Sequence, residues 1–212
     1  MRLHGLLKRD SASSWLWNHA LTTIFFEMKL QPVLREASRQ AFAALREAYP
    51  TDDFYYFALV TTDDALRPGP SASSVQGLER VVARYQAEGH NVTPADLRWS
   101  EADSPYNLFG DEFFGEVQRL FIQGGDHRKF PEAEYQAEVA RRFAAMEGAL
   151  HELDEEGFFG SGPSRDSIVI NVVAPGDESE AVILERATRL NPASSLSQLR
   201  RDLGGDHDVA QA

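Results

Sequence analysis

Apolar residues along this chain recur mostly at helical spacing, and two short stretches break that rule by lacking polar alternation altogether. Leu34, Ala37, Ala41, Leu45 and Ala48 step by three and four between Leu30 and Tyr49, which predicts an amphipathic helix stopped by Pro50. Phe54 to Thr61 (FYYFALVT) is a run of aromatic and β-branched residues and predicts a strand buried on both faces. Thr62 to Ser74 carries two prolines and a glycine and reads as a loop, at most a ragged edge strand. Ser74 is placed to cap a helix through Leu78, Val81, Val82 and Tyr85 that ends at Gly89.

Leu97 to Ser100 reads as a short strand or turn. Asp111 to Gln123 carries Phe113, Phe114, Val117, Leu120 and Phe121 on one helical stripe. The longest helix follows Pro131, with Tyr135, Val139, Phe143, Met146, Leu150 and Leu153 along one face and Gly157 as its stop. Ser167 to Val173 (SIVINVV) is the second clear strand. Asp177 with Glu180 resembles a capping box opening a helix to Leu190; Asn191-Pro192 breaks it, and a short helix to Leu203 follows. Because strands and helices do not alternate strictly, the expected class is α+β, a small mainly antiparallel sheet covered by several amphipathic helices. Its expected core includes Leu45, Phe57, Leu59, Val139, Phe143, Met146, Ile168 and Ile170.

No low-complexity linker divides the chain, so residues 28–203 are expected to form one domain, with a frayed tail over 204–212. Residues 1–27 read as a leader: Arg2, Lys8 and Arg9, then an acid-free stretch with Trp15, Trp17, Phe25 and Phe26. A signal peptide is disfavoured by Asn18, His19 and the lack of an Ala-x-Ala site. An anchoring or packing helix fits better. A natural start at Met28 fits best, because helical periodicity begins there.

Charge narrows the partners. With 33 acidic and 21 basic residues the formal charge is -12, a field that repels DNA and RNA and favours a basic protein surface. The densest basic pairs, Arg141-Arg142 and Arg200-Arg201, sit among acids. The absence of cysteine excludes disulfides, thiolate metal sites and cysteine nucleophiles, and fits a reducing, cytoplasmic compartment. No apolar run approaches the roughly 20 residues of a membrane span.

No phosphate loop, dinucleotide fingerprint, H-E-x-x-H or nucleophile elbow occurs, so no catalytic residue, cofactor or metal is assigned. His151 and Glu155 share a helix face at metal-ligand spacing, but an acidic helix end is ordinarily solvated surface. Two segments carry more. In Arg98 to Tyr106 (RWSEADSPY), Trp99 and Tyr106 bracket a turn held by Ser100 and Asp103, the mix of aromatic anchors and short polar groups that recognition surfaces use. Gly157 to Arg165 supplies three glycines, two serines and Arg165, a set suited to an anion, though glycines also simply turn corners.

Together LRWSEADSPYN, ALHELDEEGFFGSG with the following Arg and SIVINVV, and RATRLNP resemble a widespread bacterial family catalogued only as a domain of unknown function. The likeness runs from about Leu30 to Pro192. It implies a small stand-alone cytoplasmic domain with no assigned reaction, of a kind sometimes found as an immunity or accessory protein. The leading expectation is a non-enzymatic module that binds a protein partner through a face carrying Trp99, Asp103 and Tyr106. The alternative is a small-ligand binder or enzyme with a pocket between Trp99-Tyr106 and Gly160-Arg165, Asp103 acting as acid-base and Arg165 fixing an anion.

Overall fold

A computed structural model describes residues 11–176 and 178–204, with residues 11–28 as backbone alone. Helix α1 spans Ser11–Ala48, so its backbone is already helical well before Met28. The side chains of Trp15, Trp17, Phe25 and Phe26, like Asp177 and the tail beyond Gly204, lie outside the described residues. Strand β1 (Phe54–Val60) is followed by β2 (Gly69–Ser74), α2 (Val75–Ala87) and a helical turn α3 (Pro94–Leu97). A 3-10 turn over Asp111–Phe114 leads into α4 (Gly115–Gln123). Then come α5 (Glu132–Glu155), the turn α6 (Pro163–Asp166), β3 (Val169–Val173), α7 (Glu180–Leu190) and α8 (Ser197–Leu203).

The class is α+β as expected, with a mixed three-stranded sheet of order β2-β1-β3. The β1–β2 pair is antiparallel and the β1–β3 pair parallel. Helices cover both faces. Phe57 and Leu59 of β1, with Ile170 and Val172 of β3, face the main core of α1, α4 and α5. Tyr56 and Ala58, with Val169 and Val173, face a second cluster holding Ala187 of α7 and Leu199 of α8.

Three details depart from the sequence reading. Gly69–Ser74 is a strand with all six residues buried, not a loop. Its composition is poor for a strand, yet Pro70 is tolerated because the proline faces the outer edge, where no ladder N–H is needed. Second, the pairing Phe54↔Ser74 and Tyr56↔Ser73 leaves Tyr55 as an extra residue, a β-bulge. The bulge breaks the alternation, so Tyr55 and Tyr56 share one face while Phe54 and Phe57 share the other. Third, Val139 and Phe143 are half-buried rather than buried. The first half of α5 instead buries Glu138 and Arg142, bonded i to i+4 at 2.7 Å, and Arg142 also donates to the Ala65 carbonyl.

Two local signals hold, whereas α7 opens at Glu180 after Ser179 and not with the capping box read from Asp177. The Ser74 hydroxyl accepts from the N–H of Gly77 at 2.8 Å and caps α2. Gly157 (φ +75) ends α5, with the N–H of Phe158 closing back onto the Leu153 carbonyl.

Candidate functional site

The segment from Arg98 to Leu108 crosses the outer edge of β2 and carries the chain from one face of the sheet to the other. At the crossing, the Ser104 hydroxyl donates to the Ala72 carbonyl and the N–H of Leu108 donates to the Pro70 carbonyl at 2.8 Å. Edge carbonyls that would otherwise meet water or another strand are thereby closed. Trp99 and Tyr106 consequently end on opposite faces rather than on a common one. Trp99 packs edge-on against both tyrosines of the bulge, its centroid 5.6 Å from Tyr55 and 5.4 Å from Tyr56, and its Nε1 donates to Asp202 at 2.9 Å. Tyr106 is 1% exposed in the main core, 5.0 Å from Tyr49 and 5.3 Å from Phe54 by ring centroids.

The polar end of Tyr106 is fully occupied. Its hydroxyl lies 2.8 Å from the Ser74 hydroxyl, receives Arg80 at 2.6 Å and donates to Asp52. Burial works to raise the Asp52 pKa, but bonds from Tyr106, Ser74 and Arg80 outweigh it and hold the carboxyl below its ordinary value. Gly77 permits this packing, since a Cβ there would lie 2.6 Å from the Tyr106 ring. Residues Asp52, Ser74 and Arg80 were not singled out from sequence; the capping role of Ser74 was the one local hint.

Asp103 is half-buried, as are Trp99, Ser100, Glu101 and Ser104 around it. Its carboxylate accepts from Ser100 at 2.6 Å and from the Tyr85 hydroxyl at 2.5 Å. Those two bonds, Ser100 first, lower its pKa and keep it ionised at neutral pH. Its neighbour Glu101 accepts from Tyr56 at 3.0 Å, and burial pushes its pKa up.

Arg165 does not face a ligand loop. The guanidinium is buried and bonds Asp154, the Ile168 carbonyl at 2.6 Å, the Leu190 carbonyl at 3.4 Å and the Asn191 side chain at 3.1 Å. The preceding glycine loop closes on itself, the Ser164 hydroxyl bonding both the N–H and the carbonyl of Ser161. Arg165 and Tyr106 are thus spent on internal bonds, and the expected pocket joining the two motifs is not built from them. His151 and Glu155 are 3.5 Å apart on an exposed face, and no three-ligand metal cluster occurs among the described residues. No helix among them is long and apolar enough to cross a membrane.

A groove of about 350 Å³ runs between α2 and the Pro94 turn, lined by Val75, Leu78, Val82, Ala83 and Pro94 with Glu79, Gln86 and Arg98. Val75 is 43% exposed. Arg98 is already paired with Asp202 at 3.4 Å, which leaves the acidic Glu79 to set the charge of the lining. Leu78 also lines a separate small crevice that Asp103 borders.

The molecule is thus an α+β domain whose conspicuous sequence motifs close the edges of a small sheet. Residues 34–192 match the family described as Domain of unknown function (DUF4303), and the chain belongs to that family. No curated protein and no solved structure matches it.

Proposed function

We propose that this protein is a non-enzymatic interaction module that holds a basic segment of a protein partner in the groove between α2 and the Pro94 turn. One observation carries the reading: the apolar groove shares Leu78 with a crevice bordered by Asp103, a carboxylate whose pKa Ser100 and Tyr85 hold below its ordinary value. Apolar lining supplies area, and the fixed charge selects a cationic partner. A net charge of -12 adds long-range attraction of the same sign. A cytoplasmic location and an immunity or accessory role accompany this reading, supported by the absence of cysteine and by the likeness to a stand-alone bacterial family.

A photo-crosslinking residue placed at Val75 in the producing cell tests it. The expected product is a defined adduct with a protein bearing a basic segment, weakened by added salt. Ala83→Arg, which fills the groove at an exposed position, is expected to remove that adduct while leaving the fold intact. Adducts no stronger than those from a probe at Lys129, or adducts that survive Ala83→Arg, would overturn the reading.

A further inference from the structure

A second and larger concavity of about 460 Å³ is formed by the loop after β1, α4 and the turn at Gly125 to Arg128. Arg67, Arg128 and Arg142 line it with one acid, Asp126, beside the apolar Leu66, Phe121 and Ile122, while Asp111 and Glu138 pair with Arg67 and Arg142 from outside the lining. We infer that this groove binds a small carboxylate carrying an apolar body, independently of the partner groove at α2.

Three observations converge on the site. Arg142 belongs to its wall, committed to Glu138 and the Ala65 carbonyl with its guanidinium 4.8 Å from the Phe121 ring centroid. Arg67 and Arg128 supply the charge. Each makes one ion pair, with Asp111 at 2.5 Å and Asp126 at 2.8 Å, and a guanidinium offers five donors. The Nε of Arg67 is buried and has no hydrogen-bond acceptor among the described residues, so a carboxylate in the groove meets the terminal nitrogens of the fork.

The backbone is the second observation. Ala65 (φ 49) and Leu108 (φ 60) are the two non-glycine residues in the left-handed region among those described. Ala65 leads directly into Leu66 and Arg67. Leu108 packs over Gly69, where a Cβ would meet its Cδ2 at 2.3 Å and the Asp111 carboxylate at 3.7 Å. Strain therefore brackets Arg67 on both sides, and strain of this kind concentrates where a chain holds a ligand-binding geometry.

Third, Ile122 is 67% exposed, the largest exposure among the big hydrophobic side chains described. An apolar body laid over Ile122 and Phe121 with its carboxylate toward Arg67 and Arg128 satisfies both features. The distant acids of the chain oppose this weakly, since charges beyond about 8 Å are largely screened at physiological salt.

Calorimetric titration of the full chain with 4-phenylbutyrate, 4-phenylbutylamine and inorganic phosphate tests the site. The carboxylate is expected to bind, with the amine and phosphate at least about tenfold weaker, because one lacks the charge and the other the apolar body. Arg128→Ala and Ile122→Ser alter exposed side chains and are expected to weaken the carboxylate about fivefold or more at unchanged thermal midpoint. Arg67→Lys keeps the charge but removes Nε and the fork, and is expected to weaken it likewise. Equal binding of carboxylate and amine, tighter binding of phosphate, insensitivity to Arg128→Ala and Ile122→Ser, or no heat with about 10 mM phenylbutyrate overturns the proposal.

Discussion

The carboxamide of Asn191 accepts a hydrogen bond from the N–H of Ile170 at 2.8 Å and donates one to the Ile170 carbonyl at 2.7 Å, as a neighbouring strand would. It is one of a series along the outer edge of β3. Arg165 caps the Ile168 carbonyl, Asn171 the N–H of Val172, Arg186 the Val172 carbonyl, and Glu178 the N–H of Ala174. With Ser104 and the N–H of Leu108 closing β2, a three-stranded sheet has both edges occupied by its own chain. Asn191 of the Arg-Leu-Asn-Pro motif and Ser104 of the Ser-Pro-Tyr motif take part in that closure.

Asn191→Ala leaves the N–H and carbonyl of Ile170 and the carbonyl of Ala187 without their partner. At about 1–3 kcal/mol for each buried orphan, partly offset by water, the loss is expected to reach about 2–4 kcal/mol. Asn191→Asp keeps the acceptor but sets a charge against two carbonyls, so it is expected to destabilise as much. Urea midpoints of the two variants check this; a tolerated Asp would show that the amide donor is dispensable.

Tyr106→Phe keeps the ring in the core and removes the hydroxyl that joins Ser74, Asp52 and Arg80. Asp52 and Arg80 retain each other at 3.2 Å, so the expected loss is about 1–2 kcal/mol. Thermal unfolding reads it. An unchanged midpoint would return Tyr106 to the role of a partner-facing group.

Glu101 gives the stability a defined pH dependence. Burial raises its pKa foremost, its own N–H and then Tyr56 offset part of that rise, and the charge of Glu178 adds a smaller one. A carboxyl whose folded pKa exceeds its unfolded value destabilises when ionised. Its penalty is absent below the unfolded value of about 4.3, grows as pH rises through the folded pKa, and is fully present above it. Glu101→Gln is therefore expected to stabilise the protein at pH 7 and to lose that advantage near pH 4. Denaturation curves at both pH values decide it; an advantage equal at the two would assign the effect to packing instead of charge.

The partition between sequence and tertiary structure follows from range. Helix faces, strand β1, strand β3, the Ser74 cap and the Gly157 stop were legible because each is decided by residues within one or two turns of one another. The inventory of the two motifs was legible for the same reason, and so was the family. What those residues do was not. Trp99 finds Asp202, 103 positions away, and Asn191 finds Ile170, 21 positions away. Nothing in a local window separates a polar side chain aimed at a partner from one aimed at an orphaned strand edge. Strand β2 was legible only as a loop or a ragged edge strand because Gly-Pro-Ser-Ala-Ser-Ser has little strand preference; its burial comes from the segment that later crosses it. The bulge at Tyr55 and the buried Glu138–Arg142 pair likewise depend on register and on what packs opposite. The sequence by itself determined most of the elements and the inventory of the two motifs. Tertiary structure decided which of those residues are taken up by internal bonds, because hydrogen-bond satisfaction and burial are settled by neighbours distant in the chain.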